Sequence, residues 1–143
     1  MKPVVVGVDG SECSKAALDF AVEEAALRGA PLRIVCAWDI PEIGYAVSAY
    51  PKEFFENLRD EAEAIVVEAR AYVAELSPTL TVDTKVVKGH PSPTMIEEAK
   101  DAVLVVVGNR GRGGFAGLHL GSVGRHVVHH ASCPVVVVRQ ASG

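Results

Sequence analysis

The sequence predicts an α/β fold of the doubly wound kind: a five-stranded parallel sheet in the order 3-2-1-4-5, with helices on both faces. Three observations predict it. Short apolar runs alternate with helix-periodic segments along the whole chain, giving βαβαβαβαβ, and such alternation requires crossover connections between parallel strands. Most of the runs are continuously apolar, as strands covered on both faces must be. Right-handed crossovers then leave few topologies, among which a flavodoxin-like order sets strand 1 beside strand 4 near the middle.

The first run, Val4 to Val8, ends at Asp9-Gly10-Ser11 and reads as a buried strand followed by a turn. Ala17, Leu18, Ala21, Val22 and Ala25 then recur at three- and four-residue spacing. They predict a helix from about Ser14 to Arg28, with Ser11 or Ser14 as N-cap and Gly29 past its end. Leu32 to Trp38 is the second strand. Asp39 to Tyr50 is irregular, interrupted by Pro41 and Gly44, and Pro51 opens the longest helix. Its apolar stripe runs from Phe54 and Phe55 through Ile65, Val66, Ala69 and Val73 to Leu76, and its aromatic members are read as core.

From Leu80 to Val86 apolar and polar residues alternate, which predicts a third strand with one face less buried, as at a sheet edge. Gly89-His90-Pro91 turns the chain into a short helix carrying Met95, Ile96 and Ala99. Val103 to Val107 is the fourth strand. Residues Gly108 to Leu120 form a glycine- and arginine-rich loop, a helix follows from about Gly121 to Ala131, and Val135 to Val138 is the last strand.

At 143 residues the whole chain, 1–143, is expected to form one domain. Its net charge of −4 supplies no general attraction to nucleic acid or to an anionic membrane, so neither is expected as a partner. Val4 to Val8 is too short for a membrane span or a signal sequence. Cys13, Cys36 and Cys133 are odd in number and widely spaced, which favours a reducing cytoplasm over a disulfide framework.

The doubly wound order puts any ligand at the carboxyl ends of strands 1 and 4, where the winding reverses. Two turns meet there: Gly7-Val8-Asp9-Gly10-Ser11, and Gly108-Asn109-Arg110-Gly111-Arg112-Gly113-Gly114. Thirteen loop residues with five glycines, from Gly108 to Leu120, are long for an idle connection. Glycines let successive N–H groups approach one anion, and the helix opening at Gly121-Ser122 offers more N–H groups and a positive dipole end. Arg110 and Arg112 add local positive charge to an acidic protein. No GxxxxGK[ST] is present. Gly111-x-Gly113-x-x-Ala116 matches a dinucleotide fingerprint only loosely, since it follows strand 4 and lacks an acidic residue about twenty positions on.

Gly108-x-x-Gly111, nine residues, then Gly121-Ser122 resembles the G-2x-G-9x-G(S/T) signature of ATP-binding universal stress proteins. The resemblance extends over the chain through Val-Gly-Val-Asp-Gly-Ser after strand 1, Gly89-His90-Pro91, and Ser132-Cys133-Pro134 with the valines that follow. It implies ATP as ligand, with Mg2+ or Mn2+ held through the phosphates. By position it implies Asp9 near the ribose and the metal-bound phosphates, Gly7 beside the nucleotide, and Ala37 against the adenine. Gly108 and Gly111 would line ribose and phosphates, and Gly121, Ser122 and Val123 would cradle the terminal phosphate. Arg110, Arg112 and Gly113 fall at loop positions that would touch phosphate. Asp9 could instead cap the first turn of the helix that follows it.

No catalytic residue is expected. His126 and His130 stand at i,i+4 on one helix with His129, but without the glutamate of HExxH, and they read as a solvated or interface-facing helix edge. Ser122 lacks a nucleophile-elbow context. The resemblance therefore implies a regulatory nucleotide sensor of the stress response. Alternatives are a slow ATP hydrolase or a cAMP-binding member of the same fold group. An enzyme of the adenine-nucleotide hydrolase-like group would carry SGGxDS after strand 1, and a flavodoxin-like carrier a Ser/Thr-rich loop there; Asp9-Gly10-Ser11 stands instead. Strand 5 falls at a sheet edge with no charge to protect it, which predicts a homodimer through this strand.

Overall fold

A computed structural model describes residues 1–39, 50–109 and 121–140. Nine elements follow the expected alternation: β1 (Val4–Gly7), α1 (Glu12–Arg28), β2 (Leu32–Trp38), α2 (Lys52–Leu76), β3 (Val82–Lys88), α3 (Pro91–Ala99), β4 (Leu104–Gly108), α4 (Ser122–His130) and β5 (Val135–Val138). The strands form one sheet in the order β3-β2-β1-β4-β5, parallel throughout. Val4 pairs with Leu32 on one side and with Leu104 on the other, so β1 lies at the centre.

Continuous valines form β1 because both of its faces are covered. Val4 and Val6 pack with α1 and α2, while Val5 packs with α3 and α4. All three are fully buried, and each contributes about 1.5–3 kcal/mol by leaving water. The alanines of α1 leave no bulk between helix and sheet: Ala17, Ala21 and Ala25 are fully buried. Ser11 caps α1, its side chain accepting from the Ser14 N–H at 3.2 Å. Gly29 ends the helix at φ 64°, a left-handed geometry that suits glycine.

The elements differ from the sequence reading at four points. β1 ends at Gly7, one residue earlier than expected. β3 begins at Val82 rather than Leu80, because the Leu80 N–H turns back to the Ser77 carbonyl and completes the turn out of α2. β4 starts at Leu104, although the Val103 N–H still bonds across to Pro3 O, just ahead of β1, at 2.9 Å. Phe54 and Phe55 are half-buried rather than core. They lie in the first turn of α2 and pack on Tyr50, whose ring stacks on Phe54 at 4.6 Å between centroids. Burial in α2 begins later, at Ala62, and continues through Val66, Ala69 and Val73.

The edge character expected of β3 takes a specific form. α3 is only nine residues long, and charged groups occupy the sheet face beside it. Glu98 of α3, 8% exposed, accepts from Lys85 Nζ at 2.8 Å and from Arg33 at 3.3 Å, and Arg33 also reaches Asp83 at 3.0 Å. Burial of the Glu98 carboxylate is sustainable only with such partners. The network fastens α3 to β2 and β3, and so holds in place the residues of α3 that face the site.

Candidate functional site

The crossovers reverse at the carboxyl ends of β1 and β4: α1 and α2 cover one face of the sheet, α3 and α4 the other. A cleft opens there. Its walls come from the end of β1 (Gly7, Val8, Asp9), from Val35 and Ala37 of β2, and from Val107 and Gly108 of β4. Pro91 and Met95 of α3, Val123 of α4 and Ser14 of α1 complete it. The lining is apolar apart from Asp9 and Ser14, the make-up of a site that accepts a flat apolar group and orients it with few polar ones.

Asp9 sits in a closely bonded turn. Its Oδ1 accepts from the Ser11 N–H at 2.9 Å, and its own N–H donates to Ser14 Oγ at 3.3 Å, while Ser14 Oγ donates to the Ser11 carbonyl at 3.0 Å. Gly10 supplies the left-handed residue, at φ 84°, that brings the chain round into α1. The helix cap is thus Ser11, and the Asp9 carboxylate braces the turn before it.

Gly108 has a reason of its own to be glycine. A Cβ at this position would lie 2.8 Å from both the carbonyl carbon and oxygen of Cys13, so the end of β4 rests directly on the backbone of α1. Gly7 is less constrained, since a Cβ there would meet the end of the Met95 side chain, Sδ at 3.1 Å. Beyond Gly108, the Asn109 N–H donates to Val138 O and the Asn109 carbonyl accepts from the Gly121 N–H, each at 2.8 Å. The two ends of the glycine- and arginine-rich stretch therefore meet beside the cleft. Gly121 then caps α4 with backbone alone and no side-chain bond, so N–H groups of the first turn are left to other acceptors.

Of the residues singled out from sequence, Gly7, Asp9, Ala37, Gly108 and Val123 are brought together in this one cleft. Gly121 and Ser122 open α4 next to Val123, with Ser122 exposed. Arg110, Gly111, Arg112 and Gly113 lie outside the described residues. Sequence reasoning passed over Val35 and Val107, although period-two alternation puts them on the same sheet face as Ala37 and Gly7. It also passed over Pro91 and Met95. The unbranched thioether of Met95 reaches Gly7, where the strand carries no side chain.

A larger hollow lies between α1 and α2, walled by Gly10, Ser11, Lys15, Glu68 and Tyr72 among others. It takes nothing from β4 or α4, whereas the cleft at the strand ends gathers residues of both and is the better candidate. Burial pushes the Cys133 thiol up, which disfavours the nucleophilic thiolate. Among the described residues no helix is long and apolar enough to cross a membrane.

Sheet order and the cleft at the reversal point define a doubly wound α/β protein with an open cleft at its strand ends. The universal stress protein family model matches residues 1–139. A universal stress protein of Mycobacterium tuberculosis is 42% identical over 143 residues, covering 96% of this chain and 44% of the relative. One of Mycolicibacterium smegmatis is 40% identical over 141 residues, covering 96% and 45%. This chain belongs to the universal stress protein family. It spans a little under half the length of these curated relatives.

Solved structures agree on the fold. A hypothetical protein whose biochemical function was assigned from its structure superposes with a TM-score of 0.83 at 22% identity, covering 100% of this chain and 99% of that one. A universal stress protein in complex with cAMP has a TM-score of 0.67 at 32% identity, with 96% and 95% covered. The universal stress protein from Archaeoglobus fulgidus in complex with dAMP has a TM-score of 0.69 at 26% identity, with 96% and 97% covered.

Proposed function

We propose that this chain binds an adenine nucleotide, ATP foremost, in the cleft at the ends of β1, β2 and β4, and that it acts as a regulatory module of the stress response rather than as an enzyme. The observation that carries this reading is the convergence of Gly7, Asp9, Ala37, Gly108 and Val123 on one largely apolar cleft beside the first turn of α4. Ala37, Val35, Pro91 and Met95 offer the slot for the base. Asp9 stands where the ribose and the first phosphates would lie. Gly121, Ser122 and Val123 suit the terminal phosphate, because a helix N-terminus presents both N–H donors and a positive dipole end. Arg110, Gly111, Arg112 and Gly113 complete the cradle in this proposal.

Mg2+ or Mn2+ belongs to it as a partner of the phosphates. The donor set fits that role, since Asp9 is the carboxylate of the cleft lining and a divalent ion of this kind takes one or two carboxylates plus phosphate oxygens. The solved relatives with cAMP and dAMP support recognition of the adenine base. They also favour a second reading, in which cAMP is the ligand. Slow hydrolysis of ATP is compatible with either. The thiols of Cys13, Cys36 and Cys133, none in a disulfide, suit the cytoplasm, and residues 1–143 act as one nucleotide-binding domain.

Denaturing the purified chain and chromatographing the supernatant should release adenine nucleotide. Calorimetry in millimolar Mg2+ should then show ATP binding to the stripped protein. Ser122→Ala should weaken it about tenfold, the effect of one hydrogen bond to a charged group. No released nucleotide, together with no heat from ATP or cAMP, would refute the proposal.

Assembly completes it. Among the described residues β5 pairs with β4 on one side only, and Val135 to Val138 are all half-buried with no charge among them. We assign this edge to a homodimer contact, because an uncharged exposed edge is otherwise a site of uncontrolled pairing. Light scattering should give twice the chain mass at micromolar concentration; a monomer would argue against it.

A further inference from the structure

We propose that His126 and His130 form a two-imidazole site for a divalent transition metal of the Ni2+, Cu2+ or Zn2+ group, on the outer face of α4. Four residues apart on a helix, they lie one above the other, and their ring centroids are 5.9 Å apart at an interplanar angle of 36°. Two imidazoles bound side by side on one metal, at metal–nitrogen distances of about 2.0–2.1 Å, bring their ring centroids to about 5 Å. Small side-chain rotations close that gap without moving the backbone. Both residues are exposed, so neither core packing nor burial opposes a metal.

Two further features favour a cation here. His130 ends α4, where unpaired carbonyl groups and the negative end of the helix dipole favour positive charge. Imidazole nitrogen is also a preferred donor for these borderline metals, unlike for Mg2+ or Mn2+, which take oxygen. Among the described residues no third His, Cys, Asp or Glu completes a closed metal cage, so water fills the remaining positions. His129 is a flanking residue: its ring is 6.4 Å from that of His130 at 57°, and sequence neighbours diverge around the helix. The two histidines lie about 6 and 12 Å along the axis from Ser122, and neither lines the cleft, so the site is distinct from the nucleotide's own cation.

Calorimetric titration of the untagged, nucleotide-free chain with NiCl2 tests the proposal. Ni2+ is chosen because it does not oxidise the thiols of Cys13, Cys36 and Cys133. One Ni2+ should bind per chain with micromolar affinity. His126→Ala and His130→Ala should each weaken binding about tenfold or more, and His129→Ala by less than about twofold, because only the first two supply the chelating nitrogens. All three positions are exposed on a helix and alanine favours helix, so circular dichroism should confirm intact folds. Absence of saturable binding, binding that survives in the His126→Ala/His130→Ala double variant, or an equal loss with His129→Ala would each overturn the proposal.

Discussion

Gly108→Ala is expected to destabilise the chain by about 3 kcal/mol, the upper end of ordinary overpacking costs. For a protein of this size that lowers the melting temperature by about 10 °C. The reason is that the new methyl group would sit 2.8 Å from the backbone of Cys13, and backbone cannot rotate aside as a side chain can. Relief would require α1 to lift from β4, and α1 is seated by fully buried Ala17, Ala21 and Ala25. Gly7→Ala is the matching control. Its methyl would meet only the tip of Met95, which has three rotatable bonds to move away, so its loss should be less than half as large. Thermal melts of both variants without nucleotide decide the matter. Equal melting temperatures would show that the contact between β4 and α1 is looser than the geometry requires.

Ala37→Phe is expected to weaken binding of any adenine nucleotide by about a hundredfold, equivalent to roughly 2.7 kcal/mol, while leaving the fold intact. Ala37 is half-buried at the end of β2 and lines the cleft, so a phenyl ring would occupy the slot proposed for the base. Trp38, the single tryptophan of the chain, is the next residue and gives a fluorescence readout beside the calorimetry. Inorganic tripolyphosphate separates the two halves of the site. Its binding should be unchanged in Ala37→Phe, because the phosphate cradle is built from other elements. Undiminished ATP affinity in the variant would place the base elsewhere.

The sheet was legible in the sequence because burial on both faces writes itself as continuous apolar runs, Val4 to Val6 and Val105 to Val107 being the clearest. Strand limits were less so. Leu80 looks like a strand residue, yet its N–H group is claimed by Ser77, which no local pattern reports. Phe54 and Phe55 fit the helical stripe of α2 but precede the part of that helix that reaches the sheet. At the site, Asp9, Gly7 and Gly108 were visible through turn chemistry and spacing. Pro91 and Met95 were not, because their place in the cleft depends on how α3 is held against β2 and β3 by Glu98. The fold also separates two causes that sequence merges: Gly108 belongs to the glycine signature, yet the packing of α1 demands it whether or not a ligand is present.

The meeting of Asn109 and Gly121 has a consequence for engineering. A stretch whose ends are already joined by a hydrogen bond is closed at its base, so the scaffold fixes where it leaves and where it returns. Doubling such a segment costs about 0.6 kcal/mol in closure entropy, little beside the burial that stabilises the sheet. Residues 110–120 are therefore the place to lengthen the chain or randomise it as a library, each variant starting from the same base between β4 and α4. Ligand choice could diversify at this one cassette while the rest of the chain stays fixed.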